Sequence, residues 1–153
     1  MSFTRRTFMA CLVAFPAVSA LAGPALAEKV TIYAPVGLAL QGYDPVAYFT
    51  EKRALRGKDA FMLKWRGAIW AFVSAENLMA FEMNPSAYAP QYGGYCAYGV
   101  SQGQATPGDP EAWSLFEGRL YLNSNSATRD LWETDRPGFI AQAEVNWPRL
   151  SGR

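Results

Sequence analysis

Aromatic and β-branched residues gather in two places around a glycine turn. Phe61-Met62-Leu63-Lys64-Trp65 and Ile69-Trp70-Ala71-Phe72-Val73 flank Arg66-Gly67, and Trp113-Ser114-Leu115-Phe116 and Leu120-Tyr121-Leu122 flank Glu117-Gly118-Arg119. Both patterns predict hairpins. Ser74 is a good N-cap, and Glu76 puts a negative charge in the first turn of a helix. That helix carries Leu78, Met79 and Phe81 toward a core and stops at Asn84-Pro85, since proline disfavours helix at the residue before it. Asn123 to Ser126 offer caps for a helix reaching Glu133. Asp135 caps a last helix, with Pro137 tolerated in its first turn. Phe139, Ile140, Ala143 and Trp147 share one face of it, and Pro148 is expected to end it.

The remaining segments are polar or short. Glu28 to Gln41 reads as an extended lead-in, Gly42-Tyr43-Asp44-Pro45 as a turn, and Val46 to Phe49 as an apolar segment of either type. Glu51 to Lys58 and residues 101–110 read as loops. No internal repeat or low-complexity tract is visible. The expectation is an α+β domain: a small antiparallel sheet from two hairpins, packed with three or so helices.

The first residues change the picture of where the chain works. Arg5-Arg6 precede an apolar run that closes on Ala25-Leu26-Ala27, the layout of a cleaved secretory signal. The adjacent arginines resemble a twin-arginine signal, with the Sec route open as well. Pro16 and Gly23-Pro24 break the apolar run, so no stable membrane anchor is expected after cleavage. Residues 1–27 are therefore expected to be a signal peptide and 28–153 a single periplasmic or secreted domain. Without residues 1–27 the chain keeps 12 basic and 13 acidic residues, a net charge of −1. That balance leaves no electrostatic footprint for nucleic acid.

Candidate chemistry is narrow. There is no histidine, which excludes Ser-His-Asp and Cys-His pairs and histidine zinc sites within the chain. Of two cysteines, Cys11 falls in the signal segment, leaving Cys96 alone in Gln91-Tyr92-Gly93-Gly94-Tyr95-Cys96-Ala97-Tyr98-Gly99. A single thiol in an exported chain is either a buried small hydrophobe or a site of redox or soft-metal chemistry. Gly93, Gly94 and Gly99 would let backbone come close to a ligand, and Tyr92, Tyr95 and Tyr98 would either shape a pocket or fill a core. Met79 and Met83 share a helix face. They either pack the core or join Cys96 in a soft-metal site of copper type. Lys64, Arg66 and Arg119 are the cations able to favour a thiolate if the fold brings one near. Asp44 and Asp109 read as turn formers, and the five tryptophans as core.

These segments together resemble a known family. Trp70-x-Phe72-x-Ser74, Phe81 and Asn84-Pro85-x-x-Tyr88 are similar to the core motif of the YHS domain. Gly42-Tyr43-Asp44-Pro45-Val46-Ala47-Tyr48-Phe49, Gln91 to Ala97, Leu120-Tyr121-Leu122-Asn123 and Asn146-Trp147-Pro148 resemble its exported (seleno)protein branch. Some members of that branch carry selenocysteine where Cys96 stands. The resemblance implies the YHS fold and an exposed chalcogen at Cys96 with redox or soft-ligand chemistry. The cysteines that metal-associated members carry near the Asp-Pro and around the Phe-x-x-Ser segment are replaced here by residues such as Ala47, Val73 and Ala75, so that metal site does not carry over.

Three roles follow, in this order. The first is a thiol-dependent oxidoreductase, with Cys96 attacking a peroxide or disulfide and an external thiol or redox partner protein resolving it. The second is a non-enzymatic carrier of a soft metal ion such as copper, held by Cys96, Met79 and Met83. The third is a small binding or scaffold domain with an inert cysteine.

Overall fold

A computed structural model describes residues 31–152. The expected signal segment 1–27, with Cys11, lies outside the described residues. The α+β expectation holds. Strands β1 (Lys58–Trp65) and β2 (Ala68–Phe72) form one antiparallel hairpin, and β3 (Asp109–Phe116) and β4 (Arg119–Asn123) form another, each its own two-stranded sheet. Six α-helices accompany them among the described residues: α1 (Ala47–Thr50), α2 (Ala75–Met83), α3 (Pro85–Tyr88), α4 (Ala97–Ser101), α5 (Ser126–Glu133) and α6 (Arg136–Leu150). The ambiguous segment before Thr50 is thus helical. The lead-in is not simply extended, since Pro35–Gly37 and Ala39–Gly42 are 3-10 turns.

The expected caps are in place. Ser74 Oγ accepts from the Asn77 N–H at 3.2 Å, Asn125 Oδ1 from the Thr128 N–H at 2.8 Å, and Asp135 Oδ1 from the Gly138 N–H at 3.1 Å. Two helix expectations need correction. Met79 does not enter the core but lies in solvent on α2. Pro148 does not end α6: it removes one N–H, but the Ser151 N–H still reaches the Trp147 carbonyl at 2.8 Å and closes the last turn.

The absence of a repeat is corrected too. The two hairpins share one register at an offset of 51 residues: Lys58↔Phe72 and Asp109↔Asn123, then a bulge, then Met62↔Ala71 and Trp113↔Leu122, through to Trp65↔Ala68 and Phe116↔Arg119. Both turns place two residues at positive φ, Arg66 and Gly67 at 48° and 79°, Glu117 and Gly118 at 49° and 71°. This is the twist-matched turn of a two-residue hairpin. Each hairpin leads through a polar cap into a helix, α2 or α5. Inside each unit an aromatic from the second strand meets one from the helix in the same pose. Trp70 and Phe81 lie 5.0 Å apart at 33°, Tyr121 and Trp132 5.0 Å apart at 38°.

The correspondence extends upstream. Leu40-Gln41-Gly42 and Tyr92-Gly93-Gly94 both run through left-handed backbone, with φ of 50°, 51° and 86° against 53°, 63° and 84°. The Asp44 N–H then reaches the Leu55 carbonyl at 2.8 Å, as the Cys96 N–H reaches that of Thr106 at 2.9 Å. A short helix follows each. Residues 40–83 and 92–133 are thus two copies of one unit: turn, cap residue, short helix, bulged hairpin, longer helix.

The two units share a core through β4. Leu120 and Leu122 on one face of that strand pack with Trp70, Phe72, Phe81 and Tyr48 of the first unit. Tyr121 on the other face packs with Tyr92, Val100, Trp132 and Ala143. β4 is buried from Leu120 to Asn123, as a strand with a core on both sides must be.

Candidate functional site

Cys96 sits where the second unit repeats Asp44. In the first unit Asp44 is fully buried and caps α1. Its Oδ1 accepts from the N–H groups of Val46 and Ala47 at 2.8 and 3.2 Å. Its Oδ2 accepts from the Val73 N–H at 2.8 Å and Asn77 Nδ2 at 2.7 Å, tying the cap to the start of α2. In the second unit Cys96 is the N-cap of α4, and its Sγ accepts from the Gly99 N–H at 3.3 Å. The thiol donates in turn to Asn123 Oδ1 at 3.6 Å, and the Tyr98 N–H donates to the same oxygen at 3.2 Å. The Tyr98 contact fixes the amide orientation, because the flipped amide would set Nδ2 against an N–H. Asn123 Nδ2 is buried without a hydrogen-bond partner among the described residues.

Cys96 is 1 % exposed, so the exposed chalcogen implied by the family resemblance is not found. Its position explains this: the segment is clamped between α4 and the paired edge of β4, with Cys96 bridging Leu122. Neither hydrogen-bond partner of the sulfur is cationic. Of the cations considered for it, Arg66 stacks 4.5 Å from the centre of the Trp65 ring, and Arg119 lies beside Tyr121.

The methionines lie elsewhere. Met79 and Met83 are 53 % and 88 % exposed on α2, which packs against the first hairpin. They neither fill the core nor close on the sulfur. A metal ion needs donors converging on one point, and a sealed thiol with two solvent-facing thioethers on another helix does not fit that need. Among the described residues no three His, Cys, Asp or Glu side chains gather as a metal site either. Trp70 and Trp132 are fully buried, as expected of core tryptophans, while Trp65, Trp113 and Trp147 are half-buried.

A cleft of about 290 Å³ opens between the units. Trp65 and Arg66 at the first hairpin turn, Tyr92 and Gly93 before Cys96, Glu144 and Trp147 on α6, and Thr31 and Ile32 of the lead-in all line it. Backbone contacts build it. The Tyr33 N–H donates to the Gly93 carbonyl at 2.8 Å, and any side chain at Gly93 would strike the Thr31 carbonyl. The Tyr92 hydroxyl donates to Glu144 Oε1 at 3.3 Å, and Trp147 meets the Tyr92 ring edge-on at 5.8 Å. Burial above all, and then the Glu144 charge, hold the Tyr92 phenol well above its ordinary range, so it serves as a neutral donor. The αL backbone of Tyr92 is a property of the repeat, not of the cleft, because Leu40 adopts it too.

The chain matches no family model, no curated protein and no solved structure. The sequence marks the cleft residues only in part. The glycines before Cys96 signal close backbone approach, and Gly93 makes it toward the lead-in segment at Thr31, not toward a ligand at sulfur. Nothing in the local pattern marked Glu144, which pairs with the cleft only through the packing of α6.

Proposed function

We propose that this chain is a small non-enzymatic binding domain of YHS type, exported by its N-terminal signal, in which Cys96 is a structural cap and the cleft between the units is the binding site. One observation carries this reading: the Cys96 sulfur is buried and does for α4 what the Asp44 carboxylate does for α1. Both polar contacts of the sulfur are internal to the fold, one to a backbone N–H and one to the Asn123 amide. Neither redox chemistry nor soft-metal capture draws support from a thiol held in that way. The YHS resemblance gains physical sense, because its Gly-Tyr-Asp-Pro segment is the cap of the first unit and its Trp70, Phe72 and Phe81 are core.

Alkylation of the native exported protein tests it. Iodoacetamide should modify Cys96 only on global unfolding, with the rate rising in parallel with the unfolded fraction in urea. Modification in the absence of denaturant as fast as an unfolded control, or a sulfenic acid trapped after peroxide treatment of the native protein, would overturn the structural reading. Intact mass in the same preparation reports whether the mature chain begins at Glu28.

A further inference from the structure

The cleft carries two opposite charges that do not satisfy each other. Arg66 and Glu144 both line it, and neither takes part in an ion pair among the described residues. The Arg66 guanidinium carbon lies over the Trp65 ring, 4.5 Å from its centre, and the contact uses none of the five N–H donors that suit a planar acceptor. Glu144 has the Tyr92 hydroxyl as its partner and keeps acceptor capacity to spare. Trp147 lines the same cleft and stands three residues after Glu144 on α6, so the two share a helix face; an indole beside a carboxylate favours a cation.

We propose that this cleft binds a small zwitterion of the amino-acid or short-peptide class, its carboxylate on Arg66 and its ammonium between Glu144 and Trp147. The assignment rests on the binding-domain reading and names its ligand class. A ligand with one charge leaves either the arginine or the glutamate unmatched. A zwitterion matches both, and the cleft volume of about 290 Å³ is near the lower end of small-molecule sites, roughly 300 Å³ and up.

Tryptophan fluorescence and calorimetric titration of the mature protein with glycine, glycylglycine and 6-aminohexanoate form the test, with N-acetylglycine and glycinamide as single-charge controls. The expected result is saturable binding of at least one zwitterion, with both controls about tenfold weaker or worse, as loss of one charge-assisted contact implies. Arg66→Gln and Glu144→Gln should each lower the affinity about tenfold. Glu144→Gln keeps an acceptor for Tyr92, and thermal melts of both variants confirm that the fold is kept. Absence of saturation with all three zwitterions, controls that bind equally well, or affinities unchanged in both variants would overturn the proposal. Failure here is separable from failure of the parent reading, since the reactivity of Cys96 is measured without any ligand.

Discussion

Asp44 has no cation paired with it among the described residues, yet four donors converge on its carboxylate. Cys96 holds the matching place with a weaker hydrogen-bonding group, and the second unit compensates with Asn123, which binds both the thiol and the Tyr98 N–H. The Asp44 role was half legible in the sequence, since Asp before Pro is a turn former. The Cys96 role was not, because a thiol between glycines has the same local pattern whether it caps a helix or faces a substrate. Substitutions separate the two. Cys96→Ser keeps both a donor and a good capping acceptor and should cost under about 1 kcal/mol. Cys96→Ala strands the Gly99 N–H and removes a partner of Asn123, and should cost about 1–2 kcal/mol. Urea denaturation of the three proteins checks the order. Equal stabilities of the Ser and Ala variants would remove the cap from the explanation.

Hairpins and long helices were readable because their signals are local: glycine turns between aromatic runs, and side-chain caps before helices. What was missed depends on partners far along the chain. Met79 looks apolar and adjoins Leu78, but it lies two residues, about 200° of helical turn, from the buried Phe81 and so faces away from the core. Pro148 reads as a stop, but it falls in the last turn of α6, where few intrahelical bonds remain to lose. The hairpin turns themselves are less than optimal. Glu117 occupies left-handed backbone at φ 49° and is exposed, where asparagine before glycine is the preferred pair. Glu117→Asn should therefore stabilise the protein by about 0.5–1 kcal/mol, read as a higher urea midpoint at unchanged slope. A lower midpoint would mean that the Glu117 side chain contributes something beyond the turn.

The repeat escaped the sequence because hardly any side chain is kept across it. Gly42 and Gly94, Tyr43 and Tyr95, Gly57 and Gly108, Gly67 and Gly118, and Glu82 and Glu133 coincide, and most of these are glycines whose service is to backbone conformation. What is conserved between the units is the register, the left-handed turns and one aromatic pose. Those features become visible only when the strands are paired. The units are nevertheless not independent, because β4 supplies Leu120 and Leu122 to the first core and Tyr121 to the second. Unfolding should therefore be one transition. Alkaline pH gives a test of that coupling. In the first unit the Tyr48 hydroxyl is buried and donates to the Pro110 carbonyl at 2.9 Å. Burial first, and the Glu111 charge next, raise its folded pKa far above the ordinary value of 10.0. The unfolded chain releases that proton above about pH 10 while the folded chain keeps it. The stabilisation is thus complete below pH 10 and falls as pH rises beyond it, by about 1.4 kcal/mol per pH unit for this one group. Tyr92 in the second unit acts in the same direction. Tyr48→Phe should cost about 1 kcal/mol at neutral pH through the lost hydrogen bond, but it should flatten the decline between pH 10 and 11. With β4 joining the cores, the flattening should appear equally in a probe confined to the second unit, such as alkylation of Cys96. If the Cys96 probe kept the full alkaline slope while far-ultraviolet dichroism lost part of it, the two units would be unfolding separately.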